Sequence, residues 1–366
     1  MNEIRAILSR KPFHVWDFDA DANFTLGPKA LASNDLVLRE KGWTLFDLNF
    51  KNGMAIFLNV PTEAELAKAP FAYTAQYENA TRVATMPLRD FVDLAQHIKP
   101  AQHLVHLFNI GHCGSTLLHH VFNASGQAWC ISEPLFAFGI SDQRFTMPPE
   151  RLQELMRASL RFLSLFPGAE QSKTMVLKHF SQSTSVIENW YRASPEATCL
   201  YMYRDAESWC NSLFGFVQRM GMDPDKLHEV HHFGWRMVSA STPESFLDGI
   251  IGLDDPKLTF EEVAAVGWAL HYRNYTEARQ AGVPLKPFRY NELTDNREKM
   301  LMEIFDLCGL TQNHLQNASE AFEHDSHEGS VTAHDKPVRR LSEAGFDRVR
   351  RVLAHPRLAV SPQILL

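Results

Sequence analysis

The sequence lacks a continuous apolar run at its start. Residues 1–16 carry charges and a proline, so neither a secretion signal nor a membrane anchor is expected there. Cysteine is scarce, and the five present, Cys113, Cys130, Cys199, Cys210 and Cys308, are odd in number and without CxxC spacing. That argues against a disulfide framework or a zinc ribbon and fits reduced thiols in the cytoplasm. Basic residues are not in excess. A formal charge of -7 gives no footprint for nucleic acid and no polybasic stretch for an acidic membrane surface. Repeats and low-complexity tracts are also missing. Asn-x-Ser/Thr triplets occur at Asn23, Asn79, Asn123, Asn274 and Asn317, and without a secretion signal they read as chance.

What is there is a globular composition, with 45% hydrophobic residues in a chain of 366, enough to bury a substantial core. The rhythm changes near residue 100. Before it, apolar runs at 43–50 and 54–60 are broken by Asn-Gly and Pro turns, and an amphipathic helix is predicted at 88–97. Residues 1–100 therefore read as a β-rich segment that either extends a sheet or forms a cap. Residues 101–366 read as one α/β unit. Strands are expected at 104–110, 174–177, 197–203 and 285–290, alternating with helices at 116–123, 149–165, 183–193, 205–219 and 260–281, and followed by helices at 297–308 and 342–353. That alternation predicts a parallel sheet with helices on its faces.

The first of these strands runs into Gly111-His112-Cys113-Gly114-Ser115-Thr116, with a helix starting at the Ser-Thr pair. Two glycines let successive N–H groups and the helix N-terminus aim at one anion, and the hydroxyls add donors. The same residues also suit a plain strand-to-helix turn with a serine cap. The nucleoside-triphosphatase loop needs a lysine before its hydroxyl residue, and Gly114-Ser115-Thr116 has none, which disfavours a kinase-like ATP loop. Downstream, the strand at 197–203 delivers Arg204 at its C-terminal end, and Ser212 follows eight positions later in a helix. An arginine there can grip a phosphate with two parallel hydrogen bonds. It can equally pair with Asp205 or Glu207, leaving Ser212 an ordinary helix residue.

Taken together these segments resemble the sulfotransferases. The run G-x-C-G-S-T-L-L, followed about twenty residues later by Ser132-Glu133-Pro134, looks like their 5′-phosphosulfate loop, and Arg204 with Ser212 looks like their 3′-phosphate motif. The likeness is closest to bacterial and protein-tyrosine sulfotransferases. Tyr290-Asn291-Glu292-Leu293 is similar to a Y-E-x-L strand end, and Lys336-Pro337-Val338 after Ser326 resembles a cofactor-closing loop. The resemblance covers about residues 104–340 and implies a P-loop-like fold. It implies 3′-phosphoadenosine 5′-phosphosulfate (PAPS) as donor, no metal, and cofactor contacts from Gly111 to Thr116, Arg204, Ser212, Ser326 and Lys336. The implied acceptor is a small molecule or glycan with a hydroxyl or amine.

The same resemblance implies catalytic roles. Lys178 matches a lysine that neutralises charge on the leaving oxygen, and Glu133 matches an acidic base. His179 is the rival base, set one residue after the lysine where relatives set a histidine two after it. His112 stands where relatives carry Arg or Lys, which leaves open a protein that binds the nucleotide without turnover. A separate motif, His228-Glu229-Val230-His231-His232, satisfies the HExxH pattern of zinc hydrolases, but its flanks do not present a long helix and no third ligand is evident.

Overall fold

A computed structural model describes residues 2–13, 18–61, 66–169, 172–226, 258–324 and 337–358. The strands after residue 100 are near-continuous apolar runs, and burial on both faces follows from that pattern. They are β7 (His103–Asn109), β8 (Ala128–Ser132), β9 (Thr174–Lys178), β10 (Thr198–Tyr203) and β11 (Lys286–Arg289). All pair in parallel, in the order β11-β10-β7-β9-β8. The α/β expectation holds, with β8 as a strand that the sequence reading did not include.

Right-handed crossovers fix which face each helix covers. The chain moves outward from β7 to β8 through α3 (Ser115–Ala124). It moves the opposite way from β8 to β9 through α4 (Leu135–Asp142) and α5 (Pro149–Leu163), and from β9 to β10 through α6 (Ile187–Ala193). From β10 to β11 it passes through α7 (Ala206–Arg219) and α8 (Phe260–Gln280). Hence α3 lies on one face of the sheet and α5, α6 and α8 on the other, where α6 touches both of its neighbours. The reversal of direction at β7 opens a crevice at the carboxyl ends of the strands beside it, the usual ligand position in such sheets.

The helix expected at 183–193 is α-helical only from Ile187, because Ser181–Val186 forms a tighter turn in which Thr184 Oγ1 donates to the Ser181 carbonyl at 2.9 Å. Helices α9 (Arg297–Leu307) and α10 (Glu343–Leu353) follow in the described C-terminal part, with shorter helical segments at Tyr290–Asp295 and Leu315–Glu320. No helix of the described residues is long and apolar enough to cross a membrane.

The first hundred residues form an antiparallel sheet of their own, ordered β2-β1-β6-β5-β4 with β3 also pairing β1. Its strands are β1 (Asn2–Arg10), β2 (Phe24–Leu26), β3 (Ala30–Ala32), β4 (Trp43–Asn49), β5 (Met54–Asn59) and β6 (Arg82–Pro87). Helices α1 (Ala72–Asn79) and α2 (Leu88–Ala95) flank β6 in the chain. Strand β4 lies against α4 and α5, and the rings of Phe57 and Phe91 pack on Phe162 of α5 with centroids 5.0 Å away in each case. One hydrophobic core therefore runs through both sheets.

Asp47 sits in this seam, where a register shift in β4 turns it toward α4. Its Oδ1 accepts from the Leu48 N–H at 2.8 Å, and burial pushes its carboxyl up to about 7 from 3.8. A carboxyl whose pKa rises on folding keeps its proton longer in the folded chain. Its ionisation therefore costs stability as pH climbs from about 4, and the loss is complete above about 7. Asp47→Asn is expected to raise stability by about 2–4 kcal/mol at pH 8 and progressively less toward pH 5. Paired thermal melts at the two pH values check this, and an equal gain at both would refute it.

Candidate active site at the crevice beside β7

The loop leaves β7 through Asn109, whose buried amide is spent on backbone. Its Oδ1 accepts from the Gly111 N–H at 2.9 Å, and its Nδ2 donates to the His179 carbonyl at 2.6 Å. Trp209 of α7 donates its indole N–H to the carbonyls of Ile110 and Gly111 at 3.0 and 2.8 Å. The loop is thus tied on both sides. Gly111, His112 and Gly114 take positive φ values of 69°, 47° and 80°. At Gly114 a side chain is excluded twice, because an added Cβ would lie 2.4 Å from the Tyr290 ring. Cys113 is buried with its Sγ toward the Met202 carbonyl at 3.3 Å, and burial pushes the thiol up to about 11, so it is no nucleophile.

Helix α3 starts at Ser115 and Thr116, both buried. Its first-turn N–H groups have no carbonyl within the helix to bond. Around this terminus stand the ends of β8, β9 and β10. From β9, Lys178 is wholly buried and reaches toward β8, donating to Glu133 Oε1 and, at 3.1 Å, to Ser132 Oγ. The Glu133 N–H in turn donates to the Lys178 carbonyl at 2.8 Å. Glu133 keeps 16% of its side chain exposed, so the ion pair has one open end.

Glu133 and His112 are the two non-glycine residues with positive φ among the described residues, at 52° and 47°. A left-handed conformation costs a non-glycine residue roughly 1–2 kcal/mol. Both lie at the same crevice, where the surrounding hydrogen bonds hold them.

Arg204 follows β10. Its carbonyl accepts from the Trp268 indole N–H at 2.8 Å, its guanidinium lies 4.6 Å over the Tyr290 ring, and its Nη1 makes a long 3.5 Å contact to the His112 carbonyl. The two acids it was weighed against are engaged elsewhere. Asp205 caps α7 through the Ser208 N–H at 2.8 Å and faces Arg289 at 3.6 Å, while Glu207 binds Arg350 at 2.7 Å. Arg204 Nε is buried and has no hydrogen-bond partner among the described residues. Ser212 is half-buried on α7, one turn from Trp209 and one from Phe216. Trp209 holds the loop and the Phe216 ring meets His112 with centroids 4.7 Å away, so Ser212 lies on the helix face toward the loop.

His179, the rival base, lies in the core. Its ring is wholly buried, stacked on Phe108 at 4.4 Å, with Nε2 2.9 Å from His106 Nδ1. Ser194 Oγ donates to the Trp190 carbonyl at 3.0 Å and so accepts from His106 Nε2, 2.8 Å away. His106 Nδ1 must then accept from the His179 Nε2–H, and burial holds both rings well below the ordinary histidine range, as neutral species. Adjacent strand residues point to opposite faces, which separates Lys178 in the crevice from His179 in the core. Ser326, Lys336 and the HExxH run at 228–232 lie outside the described residues.

Four residues at the site were not among the site residues expected from the sequence: Asn109, Ser132, Trp209 and Trp268. Asn109 carried a signal, being a polar residue that closes an apolar strand, whereas Ser132 closes β8, which the sequence reading did not include. The rings of Trp209 and Trp268 are buried, while their N–H groups hold the carbonyls of Gly111 and Arg204.

Fold and crevice define an α/β protein with a glycine-containing loop of positive φ at the reversal point of a parallel sheet. Solved structures similar to the chain include sulfotransferases. Sulfotransferase STF1 from Mycobacterium tuberculosis H37Rv matches with TM-score 0.41 and 13% identity over 74% of this chain and 82% of its own. Sulfotransferase STF9 from Mycobacterium avium matches with 0.39 and 10%, over 73% and 77%. Retinol dehydratase, solved in complex with androsterone and inactive cofactor PAP, matches with 0.39 and 13%, over 75% and 86%. No protein-family model matches the sequence, and no curated protein matches it.

Proposed function

We propose that the chain is a sulfotransferase that moves a sulfuryl group from PAPS to a hydroxyl or amine acceptor, a small molecule or glycan. The observation that carries this reading is the Lys178–Glu133 pair, set with Ser132 at the ends of adjacent strands beside an anion loop, with an uncompensated arginine across the crevice. The donor fits these residues: the first-turn N–H groups of α3 have no carbonyl within the helix to bond, and half-buried Arg204 offers a buried Nε with no hydrogen-bond partner among the described residues. When bound, the donor supplies the sulfuryl group and a phosphate leaving group.

The residues of the chain do the rest. The α3 terminus and Arg204 hold the nucleotide's two phosphate ends, which orients the group in line with the acceptor. Lys178 Nζ–H answers the charge that grows on the leaving oxygen. Glu133, at the open end of the pair, takes the acceptor's proton.

A second reading, nucleotide binding without turnover, is favoured by His112. Its ring packs edge-on against Phe216 and Trp209, where relatives would carry a fixed cation. The experiment has two stages. In thermal-shift titration, adenosine 3′,5′-bisphosphate (PAP) is expected to stabilise the protein, while AMP and ATP do so weakly. Labelled donor with a panel of alcohols and amines then separates transfer from binding alone. Absence of stabilisation by PAP would sink both readings.

A further inference from the structure

The crevice uses the carboxyl ends of the strands and the face of the sheet that carries α3. On the other face, between α8, the edge strand β11 and its neighbour β10, lies a cavity of about 240 Å³. Tyr201 and Tyr203 enter it from alternate positions of β10, and Trp268, Tyr272 and Tyr275 enter it from successive turns of α8. Ile110 and Pro287 close its ends. Pro287 is exposed and lies on the edge strand, opposite Tyr201 in register, so the cavity reaches the side of the sheet.

The walls are preformed. Trp268 and Tyr272 stack with planes 8° apart, and Tyr201 and Tyr275 meet at 4.7 Å. Tyr201 spends its hydroxyl on the His271 carbonyl at 2.9 Å. The hydroxyls of Tyr203, Tyr272 and Tyr275 make no hydrogen bond among the described residues. Burial raises the pKa of Tyr203 and Tyr275, so both remain O–H donors at neutral pH. Among the described residues no charged side chain lines the cavity; Arg279, Arg289 and Glu292 stand outside it, near enough to act on these phenols.

We infer that this cavity is a binding site, distinct from the nucleotide crevice, for a flat uncharged aromatic molecule of one or two fused rings with a hydroxyl or ring nitrogen on its edge. An apolar cavity of roughly 150 Å³ takes benzene, so the larger volume here suits two fused rings. Ring walls favour flat π-systems, and the phenol hydroxyls at half-buried tyrosines answer a polar edge that would otherwise lose its water. The absence of lining charge disfavours ions. The site is also coupled in structure to the crevice, since Ile110 precedes Gly111 and Trp268 holds the Arg204 carbonyl. This inference stands whether or not the chain transfers sulfuryl groups.

The test uses the full chain labelled with 3-fluorotyrosine and titrated with 2-naphthol, followed by fluorine NMR. Resonances assigned to Tyr203, Tyr272 and Tyr275 through conservative Tyr→Phe variants are expected to shift and saturate, with PAP present or absent. Naphthalene-2-sulfonate should bind at least about ten-fold more weakly, and Tyr272→Ala should weaken 2-naphthol by a similar factor. Competition with PAP, shifts confined to other tyrosines such as Tyr73 or Tyr77, equal binding of the sulfonate, or no saturable shift at all would each overturn the assignment. Because the assigning Tyr→Phe variants keep the rings, loss of fold in Tyr272→Ala leaves the site mapping intact.

Discussion

Substituting Lys178 by methionine is expected to lower sulfuryl turnover by roughly 10²- to 10³-fold, and Glu133→Gln by a comparable factor, because each removes a group that acts only as charge moves. Stability separates this from a merely structural role. Lys178 is wholly buried, so Glu133→Gln strands an ammonium without its carboxylate and is expected to cost about 3–5 kcal/mol. Lys178→Met leaves a carboxylate that still sees solvent, and its cost should be smaller, about 1–3 kcal/mol. The double variant removes both charges, so it should recover much of the stability lost in Glu133→Gln, through a coupling of roughly 1–3 kcal/mol. Turnover should not recover. Urea melts and labelled-donor assays on the four proteins give the two cycles side by side. A double variant that melts like the parent and transfers at the parental rate would remove the pair from the chemistry.

Much of this site was legible because its signals are local. Strands β7, β9 and β10 are unbroken apolar runs, and Gly111, Gly114 and Arg204 punctuate their ends, so the parallel sheet and its loop could be read from rhythm alone. Other parts had no local signal. Strand β8 is only Ala128–Ser132, and α4 is apolar nearly all round, so neither shows the period that distinguishes strand from helix. In β1, exposed and half-buried residues follow one another without alternation, because it pairs with three strands through a register shift. The choice between Glu133 and His179 was out of reach for a different reason. Spacing from Lys178 says nothing of which way a side chain points at a strand end, and the pairing of His179 with His106 spans residues far apart in the chain.

That limit bears on the second large effect. From sequence, Arg204 could as well have paired with Asp205 or Glu207, yet Asp205 caps α7 and faces Arg289 while Glu207 binds Arg350. Trp268 and Tyr290 instead fix the residue by its carbonyl and its guanidinium face, leaving Nε buried without a partner among the described residues. A donor group so prepared loses little freedom when a phosphate arrives. Arg204→Ala is expected to weaken PAP by about 1.5–3 kcal/mol, roughly 10- to 150-fold, and to erase most of its thermal stabilisation. Binding of AMP, which has no 3′-phosphate, should change little. Arg204→Lys keeps the charge but loses the planar fork and its stacking on Tyr290, so it should fall between the two. The unliganded variants should melt within about 1 kcal/mol of the parent, since no carboxylate partner is lost with the arginine. Calorimetric titration with both nucleotides reads all of these, and PAP binding that is undiminished in Arg204→Ala would remove this residue from the phosphate grip.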